Sequence, residues 1–153
     1  MSDQDRLFSC VERLGVKIDI TTFTERKKVQ KLVYLLKVFG INFNFDYSWY
    51  LHGPYSPGLT KTVFDVLERG HPVHKKDLSE RENKALEKLQ RFLGSDIQSS
   101  DELELLVSLH YLRARAEDYG ESKEVIISIL KEKKPYFNMK QIEGAWQKLD
   151  MIA

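Results

Sequence analysis

The stretch WYLHGPYSPG, residues 49–58, places three aromatic residues, a histidine, two glycines and two prolines in ten positions. Its first half continues a run of period two, in which Ile41, Phe43, Phe45, Tyr47, Trp49 and Leu51 alternate with Asn42, Asn44, Asp46, Ser48, Tyr50 and His52. Successive side chains of an extended chain point to opposite faces. The pattern over 41–52 therefore predicts a strand or a hairpin with one apolar face, Trp49 and Leu51 inward and Tyr50 and His52 outward. Gly53-Pro54 is expected to end that strand, because proline has no ladder donor and glycine accepts turn geometry. Ser56-Pro57 reads as a helix start, with the serine hydroxyl accepting from free amides as N-cap and proline at the first helical position.

On both sides the period becomes helical. TERKKVQKLVYLLKVFG, residues 24–40, puts Val29, Leu32, Val33, Leu35, Leu36 and Phe39 on one arc. Arg26, Gln30, Tyr34 and Lys37 fall opposite, flanked by Lys27 and Lys31. The helix opened by Ser56 carries Leu59, Val63, Val66 and Leu67 inward and ends near Gly70.

The remaining chain reads in the same way. A helix over 4–14 presents Leu7, Val11 and Leu14, VKIDI at 16–20 is a short strand, and HPVHKK at 71–76 is a candidate third strand or wing. Ser79 with Glu82 forms a capping box before a helix through Leu86, Leu89 and Phe92 to about Leu93. After a polar connector, Ser99 with Glu102 makes a second box, opening ELELLVSLHYLRARA, which is apolar round so much of its circumference that it is expected to be central. Residues 122–133 turn Val125, Ile126, Ile129 and Leu130 to one face before Pro135. Asn138 with Gln141 begins a last helix along Met139, Ile142, Trp146 and Leu149. These elements predict a mostly helical α+β fold, about six to seven helices around one core with a small β-sheet.

A chain of 153 residues suffices for one domain with its own core, and no linker or repeat divides it. Residues 20–93 are expected to form a core unit on which the helices of 99–153 pack. Lys and Arg total 24 against 23 for Asp and Glu, so no overall field draws the molecule to nucleic acid or anionic lipid, and any basic site is local. Cys10 is the single cysteine, which excludes an internal disulfide and a cysteine zinc cluster. The acidic start, MSDQDRLFSCVERLG, is unlike a signal peptide, and no apolar run approaches bilayer length. A cytoplasmic protein with no membrane partner is expected.

RKKVQKLVYLLKVFG followed by FDYSWYLHGPYSPGLTKTVFDVL resembles the signature of the Panacea domain, a family that includes SocA-like antitoxins and YwgA-like archaeal proteins. The resemblance rests on Arg26, Gln30, Lys31, Tyr34, Tyr50, Gly53, Pro54, Tyr55 and Ser56, covers roughly residues 20–90, and extends to VHKKDLSERENKAL at 73–86. It implies a winged-helix-like portion in the N-terminal two-thirds. It also implies a non-enzymatic interaction module, an antitoxin or an adaptor whose partner is another protein, such as a toxin or a protease component. The polar HKKD departs from the clearer wing hairpin of the family.

Arg26, Gln30 and Tyr34 recur every four residues and can reach a common partner. They either hydrogen-bond the turn at Gly53–Ser56 or, with Lys31, Tyr50, Pro54, Tyr55 and His52, border a recognition groove. A nucleic-acid reading would use Arg26, Lys27, Lys28, Lys31 and Lys61. Against it, the helices at 24–39 and 57–69 are separated by a strand, TKTVFDVLER offers few base-reading side chains, and a solvated basic face is the plainer account. His71 and His74 lack the partners of a zinc site. Ser56 with His52 and Asp46 lacks a nucleophile elbow, and there is no glycine-rich phosphate loop, so neither enzymatic activity nor a cofactor is expected. His110 and Cys10 read as core residues, and Trp146 as packing.

Overall fold

The computed structural model describes residues 3–50, 52–75 and 77–152. Among these the chain forms α1 (Asp3–Arg13), α2 (Phe23–Val38), β1 (Ser48–Tyr50), β2 (Gly53–Tyr55), α3 (Pro57–Leu67), α4 (Glu80–Leu93), a 3-10 turn (Gly94–Gln98), α5 (Ser100–Tyr119), α6 (Lys123–Lys133) and α7 (Met139–Asp150). The class is the mostly helical α+β fold that the periodicities predict.

Side-chain caps set the helix starts. Ser56 Oγ accepts from Leu59 N–H at the head of α3, with Pro57 in the first turn. The capping boxes at Ser79/Glu82 and Asn138/Gln141 both close reciprocally. At Ser99 the serine half alone is present, its hydroxyl accepting from Glu102 N–H at 3.1 Å. Each cap satisfies one of the amides that a helix leaves without an internal partner.

Helix α5 is the hub, in contact with α2, α6, α7 and β2. Leu103, Leu105, Leu106, Val107 and Leu109 are all buried, as an apolar circumference requires. The buried apolar side chains of all seven helices belong to one cluster. Helix α5 thus lies at the centre of that cluster, as its apolar circumference predicts.

Two apolar arcs are narrower than their sequences suggest. On α3, Leu59 and Val63 are buried, but Val66 is half-buried and Leu67 is 41% exposed, because the helix ends there. On α6, Ile126, Ile127 and Leu130 face the core and Val125 is exposed, a rotation of the arc by about one position. Met139 at the start of α7 is likewise exposed.

The β structure differs more. Residues 41–47 are not a ladder strand, although Ile41 and Phe43 are buried and Asn42 and Asn44 exposed. The alternation is present without pairing. Asn42 Oδ1 accepts from Asn44 N–H at 2.8 Å, and Asn44 adopts φ 62°, an Asx turn that diverts a ladder donor and breaks the extended path. Residues 16–20 behave similarly, with Val16 and Ile18 buried in an unpaired segment.

Gly53-Pro54 does not end the β structure but begins its second strand. The hairpin pairs Ser48 with Tyr55, Trp49 with Pro54 and Tyr50 with Gly53. Proline is tolerated because this is a two-stranded ribbon, in which every strand is an edge. Trp49 is half-buried against Tyr111 of α5, and Tyr50 is exposed, as the alternation predicts. Leu51 lies outside the described residues.

The described part of the expected wing, residues 71–75, contains no strand, and Lys76 lies outside the described residues. The segment is tied to α1 instead: His74 N–H donates to Asp5 Oδ1 at 2.9 Å, and Gln4 Nε2 donates to Pro72 O at 3.1 Å. With those two backbone groups turned to α1, the segment forms no hairpin among the described residues.

Candidate functional site

Helix α2, the hairpin and α3 enclose an apolar groove of about 450 Å3. Leu59 and Val63 of α3 and Val29 of α2 supply its buried apolar wall. Around it stand three large aromatic side chains that remain half in solvent: Phe23 at 50%, Tyr50 at 51% and Phe64 at 43% exposure. Phe23 meets the His52 ring edge-on at 4.7 Å, and Tyr50 meets Tyr55 at 5.0 Å.

The hairpin is fastened to α2 by side chains. Gln30 Nε2 donates to Ser56 O and to Thr60 Oγ1, and Gln30 Oε1 accepts from Ser56 N–H, each at 2.9 Å. Lys31 Nζ donates to Pro54 O at 2.7 Å. Buried turn backbone needs such partners. The hydrogen-bonding role expected of the α2 polar face is therefore real, but Gln30 and Lys31 perform it. Tyr34 reaches α5, with its hydroxyl 2.7 Å from His110 Nδ1, and Arg26 donates to Ile20 O at 2.9 Å.

Behind the groove lies a buried ionic cluster that the sequence reading missed. Glu104 of α5, 1% exposed, accepts from Lys27 Nζ at 2.9 Å and from the Tyr136 hydroxyl, and pairs with Lys134 at 3.3 Å. His52 Nδ1 lies 3.7 Å from the same carboxylate. Burial pushes the Glu104 pKa up, but the hydrogen bonds from Tyr136 and Lys27 and the charges of Lys134 and Lys27 hold it below the usual carboxylate range. Lys31, only 2% exposed, is pushed down to about 7 by burial, with the positive charges of Lys134 and Lys27 adding to the effect and Glu104 opposing it. A charged residue within the apolar run ELELLVSL was the available signal for Glu104; its partners come from residues 27 and 134, too distant to link by spacing.

Of the ten candidate partner-binding residues, Arg26, Gln30, Lys31, Tyr50, His52, Gly53 and Tyr55 line the groove together. Tyr34, Pro54 and Ser56 do not, and Ser56 is buried with its hydroxyl at the α3 cap. Gly53 has φ +90°, and a Cβ there would overlap Ser108 Oγ of α5. Glycine allows the hairpin to lie against α5.

The proposed basic face is solvated only in part: Arg26 and Lys61 are exposed and Lys27 half-buried, whereas Lys28 and Lys31 are buried. Lys28 is buried and donates to Gln98 Oε1 at 3.2 Å, Lys27 is held by Glu104, and Lys31 by Pro54 O. Lys61 is exposed and pairs with Asp65 at 2.8 Å. Elsewhere, no group of three or more metal-ligating side chains occurs among the described residues. Cys10 is buried, its thiol pushed up to about 11 by burial. No helix among the described residues is long and apolar enough to cross a membrane. Comparison of the chain with family models, curated proteins and solved structures found no match.

Proposed function

We propose that this protein is a non-enzymatic interaction module whose groove between α2, the hairpin and α3 receives a segment of another protein, as the Panacea and SocA-like resemblance implies for an antitoxin or proteolytic adaptor. One observation carries the reading: Phe23, Tyr50 and Phe64 stay half-exposed around an apolar cavity of about 450 Å3. Large aromatic surface gathered at a concavity marks a binding site. The polar groups beneath are already engaged, Gln30 and Lys31 with the hairpin and Ser56 with the α3 cap, which supports docking over hydrolysis. The burial of Lys28 and Lys31 and the pairing of Lys27 with Glu104 support it over a winged-helix-like regulator that grips duplex phosphates.

The test is quantitative capture of binding partners from the source organism by the wild-type protein and by Phe64→Asp, with bound proteins identified by mass spectrometry. Phe64 is exposed, so the variant is expected to fold normally and to retain less than about a tenth of any specific partner, the loss typical of a central aromatic anchor. Equal capture by both proteins removes this surface. Duplex DNA binding at low salt that is lost on raising the salt would install the regulator reading instead.

A further inference from the structure

The groove is lopsided in charge. Arg26, Lys27, Lys31 and His52 line it, and no carboxylate is among its described lining residues. The nearest acids both pair with Lys27: Glu104, at 2.9 Å, is buried behind the groove and is also engaged by Lys134 and Tyr136, and Asp101, at 3.5 Å, is exposed outside the lining. Among the described residues neither Arg26 nor Lys31 has a carboxylate within ion-pair distance; both donate to backbone carbonyls, of Ile20 and Pro54. An apolar slot bordered by Arg26 and Lys31, neither of them paired with a carboxylate among the described residues, is complementary to an anion carried on an apolar body. A volume of about 450 Å3 holds a few side chains, not a whole helix.

We infer that the groove recognises a short segment of a partner chain in which an aromatic or aliphatic side chain adjoins a carboxylate, the apolar group seated against Leu59 and Val63 and the carboxylate meeting Arg26 within the field of Lys31. The inference rests on the docking reading above and narrows it to a class of partner sequence.

A proton signature accompanies it. Lys31 faces Lys27 on its own helix, Glu104 on α5 and Lys134 beyond α6, while His52 on the hairpin and Asp101 on α5 approach the same cluster through Glu104 and Lys27. With its pKa near 7, the Lys31 amine is mostly neutral at pH 8 in the free protein. An anion in the groove favours the ammonium form and raises that pKa, so binding takes up a proton. Affinity is then fully present below pH 7 and declines as the pH rises towards the bound-state value.

The experiment is a selection of random displayed heptapeptides on wild-type protein, Phe64→Asp, Arg26→Ala and Lys31→Met. Wild type is expected to enrich Asp or Glu next to an apolar residue, with the acid preference lost on Arg26→Ala, an exposed site that leaves the fold intact, and on Lys31→Met. Replacing the acid of a selected peptide by its amide should weaken binding at least about tenfold. Calorimetry of that peptide at pH 8 in HEPES and in Tris should report uptake of close to one proton, retained in His52→Asn and absent in Lys31→Met. Enrichment of apolar residues without an acid, or binding without proton uptake, overturns the inference and leaves the docking reading standing. No enrichment beyond that on Phe64→Asp removes both.

Discussion

Helices α2 and α4 have 16 and 14 residues and both carry many charged side chains, yet they meet the rest of the molecule differently. In α4, Leu86, Leu89 and Leu93 are buried while Arg81, Lys84, Glu87, Lys88 and Arg91 are in water. In α2, the apolar arc is buried and so are Lys28, Gln30, Lys31 and Tyr34 on other sides. A helical period identifies the face that must leave water. It does not say that the opposite face stays wet. That depends on whether a neighbour offers hydrogen bonds and countercharge, which α5 and the hairpin offer to α2 through Glu104, His110 and the backbone of Pro54 and Ser56.

The sharpest way to break this contrast is at Glu104. Glu104→Gln leaves the buried Lys134 without its carboxylate and strips the half-buried Lys27 of its nearer one, and is expected to cost about 3–5 kcal/mol in urea unfolding. Glu87→Gln on the exposed face of α4 should change stability by less than about 0.5 kcal/mol. Equal effects would show that the cluster is not desolvated in solution. Next in size is Gly53→Ala, which sets a Cβ against Ser108 Oγ at a left-handed φ; a loss of about 2–3 kcal/mol is expected, partly restored by adding Ser108→Gly. Purely additive effects would place the hairpin away from α5.

Gln30→Ala removes the buried partner of both Ser56 backbone groups and should cost about 1–3 kcal/mol. The pH dependence sharpens the comparison at Lys31, whose pKa is about 7 in the folded chain against the ordinary 10.5. Between these values the unfolded chain binds more protons, so this group's penalty is complete below pH 7 and eases as the pH rises. Thermal melts should therefore show the wild type gaining more stability than Lys31→Met from pH 7 to 9. Among the interactions removed, the smallest loss is expected at the α4 cap, where Ser79→Ala should cost about 1 kcal/mol.

How far the sequence could be read follows from where each partner lies. Capping boxes and apolar arcs involve residues within four positions, so the starts of α3, α4 and α7 are legible directly. The alternation over 41–50 correctly sorts the buried Ile41 and Phe43 from the exposed Asn42, Asn44 and Tyr50. Whether an extended segment finds a ladder partner is a tertiary matter, and residues 41–47 find none among those described. Gly53-Pro54 misleads for a related reason: proline argues against a strand between two others, and among the described residues there is no third. The groove was half-legible, because Arg26, Gln30, Tyr50, His52 and Tyr55 converge as their spacing allows, whereas Phe23 joins it by meeting His52 and Phe64 through the packing of α3. The ion cluster was out of reach, since its members are brought together by the approach of α5.

The fastening of the hairpin to Gln30 and Lys31 constrains how the molecule opens. A three-residue ribbon has too little of its own to persist in water, and its clasp works only while α2 rests on α5. Its amide hydrogens should then exchange with solvent deuterium at the pace of whole-molecule opening, and a fragment cut after residue 98, deprived of α5, should not retain the ribbon as an autonomous foldon.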